Sequence, residues 1–225
     1  MTDAILAGWQ TRIRAAAAAR TPLAIRGGGT KAFLGEAPQG EPFDTRGYAG
    51  IVEYEPTELV ITARAGTPLD EIESTMAAAG QMLAFEPPRF GPGATLGGAI
   101  ATGLSGPRRP YAGAARDFVL GVRVVDGRGD DLTFGGRVMK NVAGFDVARL
   151  MTGAMGTLGV ITEVSLKCLP LPKAEATRTY ELSADEAIHK VNEWGGQPLP
   201  LSATAYAKGL LHVRFSGAAP AVESA

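Results

Sequence analysis

The sequence predicts an α+β fold: a large N-terminal part followed by a small α+β module. Three observations predict it. Short β-rich runs alternate with turn signals along most of the chain. Two glycine-rich segments, residues 27–29 and 91–113, interrupt those runs. Pro170 and Pro172 then mark a change of composition, after which a strand, a capped helix and a hairpin follow closely.

In chain order, the alanine tract at residues 15–19 sits among Arg12, Arg14 and Arg20, which suits a short amphipathic helix better than an export signal. Strands are expected at 23–26, 50–54 and 59–63. Thr67 is the expected N-cap of a helix that reaches Ala79, with Pro68 at its first position and Gly80 as its stop. Residues 86–113 enclose the apolar stretch 96–104, which calls for an ordered loop and a short helix rather than disorder. Residues 119–125 and 131–134 flank the turn Asp126-Gly127-Arg128-Gly129 as a hairpin, and 160–169 form a further strand. In the second module, residues 177–182 are a strand, and Ser183 with Glu186 forms a capping box for a helix ending near Gly195 and Gly196. Residues 201–206 and 210–215 make a hairpin around Lys208 and Gly209. A last helix begins at 218 with no room to finish, so this module is expected to be incomplete.

With 225 residues and 45% hydrophobic content the chain can bury a sizeable core. Lys+Arg 22 against Asp+Glu 23 leaves a net charge of -1, too little to recruit nucleic acid or an anionic membrane by long-range attraction. Cys168, as the single cysteine, excludes an internal disulfide and suits a small core residue. His189 and His212 have no neighbouring ligand set, so no metal site is expected. No segment reaches the roughly 20 apolar residues that span a bilayer. The expected location is the cytoplasm.

The glycine segments carry the chemistry. Gly27-Gly28-Gly29-Thr30-Lys31-Ala32 formally matches a Rossmann fingerprint after a strand, but Gly35, Pro38, Gly40 and Pro42 prevent the long helix that such a loop must open. A Walker loop fails too, because Lys31 follows Thr30 and precedes Ala32. Two readings stay open for residues 27–29. One is a tight turn needing positive φ; the other is a concave anion site in which successive backbone N–H groups converge, with Thr30 and Lys31 adding donors. The stretch "GPGATLGGAIATGLSGPRRPYAG" repeats the strategy, and its own alternative is a glycine-rich helix packed closely on a sheet. Two such loops in one chain point to an extended, flat cofactor.

The pieces "PLAIRGGGTKAFLG", "GATLGGAIATGLSGPRRPYAGAARDFVLGVRVVDGRG" and "GRVMKNVAGFDVARLMTGAMGTLGVITEVSLK" resemble, in order, the FAD-binding domain of the vanillyl-alcohol oxidase and p-cresol methylhydroxylase (PCMH) superfamily. Together they cover most of residues 21–168. The last piece, with the compact module after it, looks most like the FAD-binding subunits of bacterial glycolate oxidases. The resemblance implies a two-subdomain PCMH-type fold with mixed sheets flanked by helices, over residues 1–170, divided near residues 63 and 64, with 171–225 the start of a cap or substrate module. It implies that Arg26, Gly27, Gly28, Gly29, Thr30 and Lys31 wrap the FAD pyrophosphate. It places Gly93, Thr95, Gly97, Gly98, Thr102, Gly103 and Gly106 beside the cofactor, with Tyr111 and Gly113 near the flavin. Gly156, Gly159, Val160 and Ile161 would line its other side, although a tight turn entering a core strand explains Gly156 and Gly159 equally well. Arg108 and Arg109 would neutralise phosphate or a substrate carboxylate, or else lie in solvent.

Covalent members of the superfamily often carry a histidine in the first loop, where this chain has Thr30 and Lys31, so the FAD is expected to be non-covalent. The implied activity is that of an FAD-dependent oxidoreductase acting on the CH–OH group of 2-hydroxy acids such as glycolate, within a complex. The implied partners are a sister FAD subunit and an iron–sulfur subunit, through which the chain would lie peripheral to the inner membrane. No residue qualifies as the catalytic base. That leaves a flavin-binding relay or scaffold subunit as the alternative, with a flavin reductase of cell-wall precursor synthesis behind it. On these grounds Gly28→Val is expected to remove flavin without unfolding the chain.

Overall fold

A computed structural model describes residues 2–137 and 144–225. The segment 138–143, part of the third family motif, lies outside the described residues. Helix α1 (Thr2–Ala19) buries Leu6 and Ile13, seven positions and so about two turns apart, and sets Trp9 against the rings of Phe43 and Tyr48 at 5.3 and 5.4 Å. Strands β1 (Leu23–Arg26) and β2 (Glu41–Asp44) pair in parallel beneath it. β2 was not among the expected strands; Gly40 and Pro42 mask a strand whose one deeply buried side chain is Phe43.

The second layer system begins with β3 (Ile51–Glu55) and β4 (Val60–Arg64), then α2 (Leu69–Ala78) and β5 (Gln81–Met82). Helices α3 (Leu96–Thr102), α4 (Arg109–Ala112) and α5 (Ala115–Phe118) lead to the expected hairpin, β6 (Val119–Val125) and β7 (Asp131–Gly135). After α6 (Val147–Leu150) come β8 (Val160–Lys167) and β9 (Leu169–Pro170). The main sheet runs β3-β4-β8-β6-β7 with antiparallel neighbours, and β8 lies at its centre. β8 is buried on both faces, and its buried polar side chains are paired: Thr162 Oγ1 donates to the Arg123 carbonyl at 2.9 Å, and Ser165 Oγ lies 2.8 Å from Thr62 Oγ1. One face meets the large core of Ile72, Met76, Phe85, Leu96, Ile100 and Phe118. Val125 and Val160, at one end of the sheet, join the core of α1, Phe43 and Tyr48.

β3 and β4 belong to the same sheet as β6 and β8, so that sheet takes strands from both sides of residues 63 and 64. One helix start differs from expectation. Thr67 does not cap α2: the helix starts after Pro68, and the Thr67 hydroxyl accepts from Gly50 N at 2.9 Å and donates to the Arg64 carbonyl at 2.7 Å. Its bonds tie β3 to the end of β4 instead.

The C-terminal module consists of β10 (Ala174–Glu181), α7 (Ala184–Gly195), β11 (Leu201–Ala207), β12 (Leu210–Gly217) and α8 (Ala219–Ser224). Its sheet, β10-β12-β11, packs Leu211, Val213 and Phe215 against Ala187 and Val222. The Ser183–Glu186 capping box is present, with Ser183 N donating to the Glu186 carboxylate at 2.8 Å and Glu186 N to Ser183 Oγ at 3.3 Å.

Candidate flavin cradle

β1 stops at Arg26 because Thr45 takes over its carbonyl, through the backbone N–H at 2.9 Å and Oγ1 at 3.2 Å. The chain then turns through Gly29, whose φ of 69° suits glycine, and closes with Ala32 N donating to the Gly29 carbonyl at 3.2 Å. The backbone N–H groups of Gly27, Gly28, Gly29, Thr30 and Lys31 have no acceptor among the described residues. A run of unpaired amides in a half-buried loop is what an anion-binding nest requires.

The second glycine segment lies directly against this loop. A Cβ on Gly28 would overlap the Gly93 carbonyl, and one on Gly27 would overlap Thr95 Oγ1. Both glycines therefore allow backbone to approach backbone, and Gly93 itself has φ 80°. The N–H groups of Gly93, Ala94 and Thr95 are likewise without acceptors among the described residues. Thr95 is the N-cap of α3, accepting from Gly98 N at 3.3 Å.

A third segment completes the belt. Gly153 N and Met155 N donate to the carbonyls of Ile100 and Ala101, Gly103 packs on the Gly153 backbone, and a Cβ on Gly156 would lie 3.2 Å from Ile25 of β1. Residues 25–31, 93–103 and 153–156 thus form one continuous set of contacts.

Several expected site residues have their groups engaged elsewhere. Gly97 N and Leu96 N donate to Ala65 and Thr67 carbonyls, so the first amides of α3 are spent on the end of β4, and a Cβ at Gly97 would press within 2.7 Å of Ala65. Thr102 turns its hydroxyl back to the Gly98 carbonyl at 2.9 Å. Val160 and Ile161 point into the two cores, and the glycine at 159 serves a close approach to the Val125 carbonyl. Gly106 rests on the Glu86 carbonyl, and Gly113 on Asp117. Arg109 and Tyr111 are exposed on α4.

Arg108 is neither free for a phosphate nor solvated. Its Nε meets Glu86 Oε1 at 3.2 Å, its backbone N meets Glu86 Oε2 at 2.9 Å, and its terminal nitrogen reaches Glu175 at 3.2 Å. Arg214 of β12 meets the same Glu86 oxygen at 2.6 Å. The pair expected to serve a ligand thus divides, with Arg108 clamping the C-terminal module to the loop before α4.

Three features were not anticipated. Phe33 and Phe90, both exposed, pack edge to face at 5.0 Å and bridge the rims of the two glycine loops. Thr152 Oγ1 is buried without a partner among the described residues beside Gly103. Lys31 is 8% exposed, and burial alone lowers its pKa below the ordinary lysine range. A lysine in a loop reads as surface in sequence, so only the tertiary packing reveals it.

The family model for the FAD binding domain matches residues 8–135, more than half of the chain. The chain belongs to this FAD-binding family. The glycolate oxidase subunit GlcE of Escherichia coli is 52% identical over 206 residues, 92% of this chain and 59% of that protein. The glycolate oxidase subunit GlcD of Bacillus subtilis is 33% identical over 179 residues, 77% of this chain and 37% of that protein. The chain therefore spans about 40–60% of the length of these two relatives. Among solved structures, an alkyldihydroxyacetonephosphate synthase superimposes with a TM-score of 0.73 at 19% identity, covering 96% of this chain and 46% of its own, which shows the α+β fold. FAD suits the cradle on chemical grounds: two runs of unpaired amides, with Arg26 and Lys31 making no ion pair among the described residues, match the negative charge of a diphosphate. No helix among the described residues is long and apolar enough to cross a membrane.

Proposed function

We propose that this chain is the FAD-binding part of a glycolate-type oxidase or dehydrogenase that acts on 2-hydroxy acids within a complex. The observation that carries the reading is the 52% identity to GlcE across 92% of the chain; the amide cradle supports it. FAD, when bound, supplies the two-electron acceptor for oxidation of the hydroxy acid to its 2-oxo acid. The chain's own residues hold and orient it: residues 26–31 take the diphosphate through backbone N–H groups, and Gly93, Ala94 and Thr95 extend that donor surface. Thr30 and Lys31 stand where covalent members of the superfamily carry a histidine, which favours non-covalent binding. A sister FAD subunit and an iron–sulfur subunit would be its partners and would take the electrons onward, and association with them would give the chain any membrane contact it has.

A second reading, a relay or scaffold subunit with substrate oxidation on the sister chain, is favoured by the placement of the histidines. Both lie in the C-terminal module: His212 Nδ1 is 2.9 Å from Thr179 Oγ1, and His189 lies on α7 beside Asp185, Glu186 and Lys190. Neither touches the cradle, so the proton of a substrate hydroxyl has no histidine acceptor there among the described residues. Turnover of glycolate with an artificial electron acceptor separates the two. Reduction by the isolated, FAD-loaded chain supports the catalytic reading, whereas turnover only after the sister subunit is added supports the relay.

A further inference from the structure

Residues 86–93 lead from the end of β5 to the wall of the cradle, and their backbone is held against its own preference. Glu86 (φ 49°) and Phe90 (φ 52°) are left-handed without being glycine, a conformation that persists only where the surroundings impose it. At the first end the constraint is a half-buried carboxylate. Glu86 accepts from Arg108 N at 2.9 Å, from Arg108 Nε at 3.2 Å and from Arg214 of β12 at 2.6 Å, while Gly106 N donates to the Phe85 carbonyl at 2.8 Å. Pro87 and Pro88 follow, and their fixed φ stiffens the next step. Arg89 is then tied to Asp70 and Glu73 of α2. At the far end the Phe90 ring meets Phe33 of the first loop at 5.0 Å, the Gly93 carbonyl lies against Gly28, and the Ala94 carbonyl accepts from Leu69 N at 2.9 Å. A short, stiff strap thus joins a strand of the C-terminal module to the place where the two glycine loops touch.

We propose that Glu86 is a positioning residue: it transmits the seating of the C-terminal module, through residues 87–92, to the placement of Gly93 against Gly28, so that seating of the module and uptake of the cofactor favour each other. The inference rests on the FAD reading and goes beyond it, because neither Glu86 nor Arg214 belongs to the cradle. Without the pull of Arg214 the strap can relax from its left-handed turns, and the second run of free amides loses its fixed distance from the first. By linkage, the factor by which a seated module tightens FAD binding is the factor by which FAD tightens the seating.

The test measures the Kd for FAD, by quenching of flavin fluorescence, in the wild-type chain, in Arg214→Met, in Glu86→Gln and in the double variant, at a temperature where circular dichroism shows each one folded. Val222→Ala, which loosens the core of the C-terminal module without touching Glu86, is the control for destabilisation alone. The expected result is a Kd raised about tenfold by Arg214→Met and further by Glu86→Gln. In the double variant Arg214→Met should add less than about threefold to the effect of Glu86→Gln, since both act through one carboxylate. Val222→Ala should stay within about threefold of the wild type. Should Glu86→Gln fail to fold, Arg214→Met against Val222→Ala carries the test alone. A Kd for Arg214→Met no higher than that of Val222→Ala, or multiplicative effects in the double variant, overturns the positioning role and leaves FAD binding itself standing. A wild-type chain that takes up no FAD overturns the FAD reading, and this role with it.

Discussion

Gly28 sets the distance between the two glycine loops, because a side chain there has nowhere to go but the Gly93 carbonyl. The expectation that Gly28→Val removes flavin without harming the fold is therefore revised. The valine must push the loops apart, so it should abolish FAD uptake and also cost about 1–3 kcal/mol of stability, as overpacking does; urea titration of the apo chain checks this. Thr95 contributes in another way, as the N-cap of α3 and the surface on which Gly27 rests. Thr95→Ala should cost about 1 kcal/mol, and Thr95→Ser should recover most of it, since only the oxygen caps. Both changes are read in the same titration.

At the scale of elements, the Glu86 carboxylate joins pieces far apart in sequence: the loop before α3, the start of α4 and strand β12. Arg108→Ala and Arg214→Ala both remove a partner from this one group. Their destabilisations should be less than additive, by about 0.5–3 kcal/mol, in a double-mutant cycle. Additive effects would show that the two arginines act independently. Elements with local signals were legible in the sequence: the hairpin at 126–130, the Ser183 capping box and the hairpin at Lys208 and Gly209 all form where turn and cap chemistry places them. Elements stabilised by distant partners were not. β2 exists because β1 pairs with it, α4 is held by Glu86, and Thr67 abandons a cap for a strand junction. The glycine loops were legible as segments where backbone packs on backbone. Which amides remain free, and which are consumed by Ala65 and Thr67, depends on the packing of α3 against β4.

At the scale of the whole molecule, the described residues pack into three cores, and Cys168 reports on the largest of them. The thiol is fully buried, and burial pushes its pKa up to about 12. The neutral thiol is the folded form, so its contribution to stability is complete below the ordinary cysteine pKa. That contribution is lost as pH rises from about 9 towards 12. A thiol reagent at pH 8 should accordingly label Cys168 only as fast as the chain opens, and labelling should accelerate sharply in denaturant. Rapid labelling of the native chain would contradict this burial. The central claim, that the glycine belt holds FAD without a covalent bond, is tested most directly by the absorbance spectrum of the purified chain with and without added FAD, followed by acid precipitation. Flavin bands that stay with the native protein and pass into the supernatant with acid are the predicted result. No retained flavin at saturating FAD, or flavin that precipitates with the protein, would contradict it.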